Sequence, residues 1–250
     1  MLKQPMSLSQ SGWALFFALL LLLIPISFAG LQVDLFALND GHITSWLVFL
    51  THSAGKEGFL FTLALLVGWT WYRIPACRRQ WLDKGIQLGL LLVLAFFFKT
   101  TIKQLTQSPR PYTEAMAQVL VLPEPQHFYL LDSQQQITAM EQMQGQVSQD
   151  RLAVWNAERD YAFPSGHTVF AALCLLFFGS LLLAHQHWFS ASLLLLWSCS
   201  IGFSRLWVGM HRPEDLFSAV LIVGLLYGVI PKSYPWAWRY LPSFLHPQKQ

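Results

Sequence analysis

The chain has 250 residues, is 54% hydrophobic and only 12% charged, and has a formal net charge of +3 and a mean hydropathy of +0.41. A soluble domain is typically about 25% charged. A single aqueous core for this much apolar surface is excluded, lipid is the natural solvent, and the small net charge points to no nucleic-acid partner.

The first apolar run, Trp13 to Leu31, predicts a membrane span over 13–31. Ser27-Phe28-Ala29 resembles a signal-peptide cleavage site, but the run is longer than the usual signal core of about 7–15 residues, which favours an uncleaved span. Leu35 to Leu50 is less apolar and is broken by Asn39-Asp40-Gly41. It reads as a loop with a short surface helix. Further runs predict spans over 57–73, 85–102, 165–184, 188–204 and 213–231. A spanning helix needs about 20 residues, which these stretches approach with their interfacial flanks. The expected fold is an all-α integral membrane protein, one domain over 1–250, with about six transmembrane helices.

One sizeable insertion, 111–163, separates the third and fourth runs. It is glutamine-rich, with Pro123 and Pro125 near its start, and Ser133 to Trp155 has helical composition. Ile137, Met140, Val147, Leu152 and Trp155 punctuate that stretch. It reads either as a solvated loop with short helices or as a cap whose apolar residues touch the membrane surface. Loops beyond about 12–15 residues are often functional or disordered.

Basic residues set the orientation. Short cytoplasmic loops are enriched in Lys and Arg. Arg73, Arg78, Arg79 and Lys84, with Lys232, Arg239 and Lys249, then lie inside, and both termini are cytoplasmic. Trp69, Trp71, Tyr72, Trp81, Tyr234, Trp236, Trp238 and Tyr240 fall at inner span ends, where amphipathic rings anchor. Cys77, Cys174 and Cys199 imply no disulfide framework, since none lies in the long outer loop.

Three polar clusters end apolar runs, and the same topology puts all of them on the outer face. They are Lys103 to Pro111, Pro164 to His167, and Ser204 to Asp215. Ionisable groups near hydrocarbon are costly and mark functional sites by default. His211 and Asp215 are four apart, so on a helix they share a face and the carboxylate fixes the imidazole tautomer. Ser165, Gly166 and His167 precede a helix, whose N-terminus binds anions. Lys103, Arg110 and Arg205 supply charge, arginine's fork matching phosphate oxygens. Lys99 reads as an interfacial cation that also tunes the pocket. Glu158, just before the second cluster, reads as assisting a particular head group, as paired with Arg159 or as solvated, the last two being favoured. Alone, each cluster would pass for a capped helix start or an interfacial residue; together they describe a phosphate pocket.

The three ordered segments resemble the signature of the type 2 phosphatidic acid phosphatase superfamily, matching at Lys103, Arg110, Pro111, Pro164, Ser165, Gly166, His167, Ser204, Arg205, His211 and Asp215. Within it, the chain is similar to bacterial members with six spans and a long outer loop. The resemblance implies that His211 attacks phosphorus, Asp215 supports it, and His167 protonates the leaving oxygen. It implies that Lys103, Arg110, Ser165, Gly166 and Arg205 hold the phosphoryl group. It also implies a lipid phosphate or pyrophosphate substrate, no cofactor and no metal. Transfer to a lipid acceptor is the alternative within the superfamily, and a membrane transporter is the alternative from another class.

Overall fold

The computed structural model describes residues 6–38, 42–75 and 80–240. Asn39-Asp40-Gly41, Cys77, Arg78, Arg79 and Lys249 lie outside the described residues. Among the described residues the fold is helical, with a single isolated bridge between Gln144 and Val147.

The helices are α1 (Leu8–Leu31), α2 (His42–His52), α3 (Phe59–Arg73), α4 (Trp81–Thr106), α5 (Pro111–Gln118), α6 (Ser133–Glu141), α7 (Gln149–Ala157), α8 (Gly166–Ala184), α9 (Trp188–Trp207) and α10 (Pro213–Val229). A 3-10 turn over Pro125–Leu130 and a short helix over Pro235–Trp238 are the other elements named among the described residues. Among the described residues, four helices are long and apolar enough to cross a membrane: α1, α4, α8 and α9.

α8 is the axis of the bundle. Val169 to Leu176 are all at most 1% exposed, and the helix continues through a π-helical turn at Leu175–Gly179. α1, α9 and α10 surround it. α1 is apolar all round but buries one stripe, Leu15, Phe16, Leu19 and Leu23. Phe17, Leu21 and Phe28 on its other side are 57–67% exposed. An outward apolar face on such a helix is a lipid-facing surface. Lipid gives no hydrophobic drive for helix association, so close packing carries it. A Cβ on Gly12 would stand 2.3 Å from the Tyr227 hydroxyl, and one on Gly224 would stand 2.3 Å from the Phe16 ring. These two glycines therefore let α1 and α10 approach.

The Leu35 to Leu50 region carries a short helix as expected: α2 has 11 residues, and Ile43, Trp46 and Phe49 on it are exposed. It lies against α9 and α7. Its inward face is Thr44 and Thr51, and Trp207 Nε1 donates to Thr44 Oγ1 at 2.8 Å. Polar tertiary contacts hold it, which hydropathy does not register.

The long insertion folds on its own small core. Tyr112, Phe128, Met140, Val147 and Trp155 pack with Val208 and Met210 of the α9–α10 turn. Tyr112 and Trp155 stack at 5.2 Å, and Trp155 Nε1 donates to Val208 O at 2.6 Å. Met140, Val147 and Trp155, expected either in solvent or at the membrane surface, point into this core instead. Arg151, fully buried, donates to Leu35 O and Ala37 O and ties the insertion to the chain after α1.

Candidate active site

Each cluster is placed by a helix end. Lys103 sits in the last turn of α4. The chain reverses at Gln107, with φ +46°, and Arg110 caps α5 ahead of Pro111 at its first position. Proline suits that position because its missing N–H had no helical partner there. Ser165 caps α8, its Oγ accepting from Thr168 Oγ1 at 3.0 Å and from Thr168 N at 3.4 Å. Its amide donates to Asp215 O at 3.1 Å, which joins the second cluster to the third.

The third cluster turns at Gly209, with φ +69°, where a Cβ would also meet Leu35. The amides of Met210 and His211 donate back to Arg205 O. His211 lies outside the helix. Arg212 caps α10 and Asp215 is its third residue, so the pair does not meet along a shared helical face as the spacing suggests. Asp215 Oδ2 accepts from the Arg212 amide at 2.9 Å and faces His211 Nδ1 at 3.1 Å. A capping carboxylate thus also orients the imidazole. With Nδ1 donating to Asp215, Nε2 keeps its lone pair, and Arg110 Nη1 donates to it at 3.3 Å.

The cluster faces a cavity of about 530 Å3 whose walls include Lys99, Lys103, Arg110, His167, Arg205 and His211. Arg110 and Arg205 are at most 1% exposed and Lys103 6%. Buried cations need partners, and two carboxylates from the insertion supply them. Glu158 takes a two-pronged bond from Arg205 Nη2, at 2.9 and 3.0 Å, and lies 3.5 Å from Arg110 Nη2 and 3.7 Å from His167 Nε2. Asp160 accepts from Lys103 Nζ at 2.8 Å and from Arg110 Nη2. Arg205 Nε is buried with no acceptor among the described residues.

Electrostatics follow from this cluster. Burial pushes the Glu158 carboxyl up, but Arg205, His167 and Arg110 outweigh it and hold the group at about 2. Burial opposes ionisation of Asp160 in the same way, and Arg110 with Lys103 brings it to about 2. Burial first, then the charges of Arg110, Arg205 and Lys103, hold His211 well below the ordinary histidine value. A buried, neutral imidazole with one nitrogen fixed by a carboxylate is a competent nucleophile.

The sequence model of the PAP2 superfamily matches residues 84–239, which include every cation, histidine and carboxylate just described. The chain belongs to the PAP2 superfamily. It is 29% identical to the phosphatidylglycerophosphatase B of Escherichia coli K12 over 195 residues, covering 74% of this chain and 75% of that one. It is 30% identical to the phosphatidylglycerophosphatase B of Haemophilus influenzae over 230 residues, covering 86% and 92%.

In this PAP2 member the residues singled out in the sequence stand as follows. Lys103, Arg110, His167, Arg205, His211 and Gly166 line one cavity, and Asp215 stands behind His211. Ser165 is fully buried and occupied with Thr168. Lys99 also lines the cavity, its Nζ 5.2 Å from the Phe96 ring centre. Glu158 departs from the favoured pairing with Arg159: Arg205 holds it in the cavity wall, while Arg159 donates to Ser133 O. The pull of buried cations exceeds that of an exposed neighbour.

Sequence reasoning missed Asp160, Thr51 and Gly55. Thr51 Oγ1 accepts from Arg205 Nη1 at 3.2 Å. A Cβ on Gly55 would lie 2.8 Å from His167 Nε2, so the missing side chain makes room for the ring. The string Ala54-Gly55-Lys56-Glu57-Gly58 was the available signal.

Proposed function

We propose that this protein is a metal-independent lipid phosphatase that works through a phosphohistidine. The carrying observation is the buried Asp215–His211 pair opening on a cavity walled by Lys103, Arg110 and Arg205. His211 Nε2 attacks phosphorus as the bond to the lipid oxygen breaks. His167 gives that oxygen its proton. The resulting neutral-acceptor imidazole then takes a proton from water, whose oxygen attacks the phosphohistidine and releases phosphate, restoring both histidines. The cations and the first amides of α8 stabilise the equatorial oxygens as charge shifts.

The relatives are named for phosphatidylglycerophosphate, and that lipid is the first proposed substrate, with phosphatidic acid and undecaprenyl pyrophosphate after it. The basic-residue pattern supports a bacterial inner-membrane protein with cytoplasmic termini and a periplasmic site. The lipid head would reach the cavity while its tails stay in the bilayer. The test is phosphate release by purified protein from each of the three lipids in excess EDTA, beside His211→Gln. Release that survives chelation and disappears in the variant is expected. Release that His211→Gln retains would remove the assigned nucleophile.

A further inference from the structure

Asp160 engages two cations of the proposed phosphoryl site at once. One carboxylate oxygen receives Lys103 Nζ at 2.8 Å and the other receives Arg110 Nη2. Both cations are almost fully buried, at 6% and 1%, and both belong to the proposed phosphoryl site. A phosphoryl group can reach those donors only by displacing the carboxylate. The Asp160 side chain is 56% exposed, so water stands ready to receive it. Its backbone is separately fixed, because Arg110 Nε donates to Asp160 O at 2.7 Å and the Ala162 amide donates to Ser108 O at 2.8 Å. The side chain can leave without the segment moving.

We infer that Asp160 is a specificity-determining residue that makes the site demand a doubly charged phosphoryl group. The inference rests on the reading of this cavity as a phosphoryl site. A phosphate monoester has a second pKa of about 6 and is largely a dianion at neutral pH. A phosphodiester carries one charge. The bilayer presents phosphodiester heads at very high local density, and an open pocket of three cations would collect them. Against a resident carboxylate, a monoanion gains no charge by the exchange, whereas a dianion gains one. The exchange is a difference of affinities, achieved by a competitor built into the chain.

Glu158 strengthens the argument. It engages Arg205 as Asp160 engages Lys103 and Arg110, so each of the three cations of the proposed phosphoryl site meets a carboxylate of this chain, and Arg205 Nε is buried with no acceptor among the described residues. The two carboxylates come from one short segment, 158–160, that leads directly into the second cluster. Asp160 faces Lys103 and Arg110 from α4 and the α4–α5 turn, with Glu158 beside them. Tyr161 stacks on Tyr129 at 4.4 Å and holds the chain beyond it.

The experiment compares wild type, Asp160→Asn and Asp160→Glu in detergent micelles. Inorganic phosphate serves as the dianion-rich inhibitor and dioleoylphosphatidylglycerol as the phosphodiester. Phosphatidic acid is the substrate, and binding of inorganic phosphate is also followed by thermal shift. Asp160→Asn should bind phosphate about tenfold more tightly and lower KM for phosphatidic acid more than it changes kcat, the order expected when one competing charge pair is removed. It should also become newly sensitive to phosphatidylglycerol. Asp160→Glu should restore most of the wild-type discrimination. A folded Asp160→Asn with unchanged phosphate affinity and unchanged phosphatidylglycerol resistance would overturn the inference. If it loses thermal stability and kcat without any gain in phosphate affinity, the role is structural and the inference also fails. Absence of phosphate binding and turnover in all three proteins would instead overturn the phosphoryl-site reading, and this inference with it.

Discussion

Arg110 Nη1 lies 3.3 Å from His211 Nε2, the nitrogen left with a lone pair once Nδ1 turns to Asp215. One guanidinium therefore restrains the proposed nucleophile and, through Nη2, engages both Glu158 and Asp160. Its other bonds, from Nε to Asp160 O and from Nη1 to Met210 O, fix the guanidinium between the carboxylates and the imidazole.

Arg110→Lys should accordingly behave as a severe change. Lysine cannot reproduce a fork that also donates to Asp160 O and Met210 O. Turnover should fall about 100-fold or more, in line with loss of a transition-state donor. Thermal unfolding should show destabilisation of about 1–3 kcal/mol, because buried carbonyl acceptors lose partners. Near-normal kcat in Arg110→Lys would remove the guanidinium from this role.

The two histidines should separate by leaving group. His211→Gln should lose at least about 10^4-fold with every substrate, since the covalent step is gone. His167→Asn should cost about 10^2–10^4-fold with an alkoxide leaving group, the usual yield of general acid catalysis. With p-nitrophenyl phosphate, whose leaving group needs no proton, its loss in the first step should be much smaller. Rapid-quench measurement of p-nitrophenol release checks this. Equal losses with both substrates would take the leaving-group proton away from His167.

The three clusters were legible because each has residue types that are costly beside hydrocarbon and each follows an apolar run. Their convergence was legible only through the order of spans. Asp160 was not legible as a pocket residue and Glu158 only as one open alternative, since no local pattern tells a loop carboxylate which buried cation it meets 47 or 57 residues away. The His211–Asp215 contact was read correctly from a spacing whose assumed geometry differs, because a capping aspartate reaches back outside the helix. α2 was legible as a short surface helix, but its packing was not, because threonines, not an apolar stripe, face its neighbours.

Acid should loosen the insertion before the rest of the bundle. Glu158 and Asp160 are held at about 2, below unfolded values of about 4.3 and 3.9. For groups with depressed values, the stabilisation is present above the unfolded pKa and is lost as pH falls through the folded one. The fall should therefore occupy the window from about pH 4.5 to 2. Thermal unfolding against pH should show that slope, and the double change Glu158→Gln, Asp160→Asn should flatten it. An identical slope in the double variant would mean other carboxylates carry it.

Gly55→Ala tests the wall behind His167. The added Cβ would stand 2.8 Å from His167 Nε2 and 3.4 Å from Glu57 Oε2. The first contact is closer than atoms tolerate, and the imidazole is the part that can give. Displacement of a catalytic group by a fraction of an ångström to 1 Å costs about 10- to 100-fold in rate. kcat should fall by that order with KM little changed, because the cationic side chains proposed to hold the phosphoryl group lie on other elements. Gly68→Ala is the matched control: nothing lies within 4 Å of its Cβ, and alanine in the middle of α3 favours the helix. Steady-state kinetics beside thermal unfolding distinguish the cases. Equal rates in the two variants would show that Gly55 does not set the position of His167.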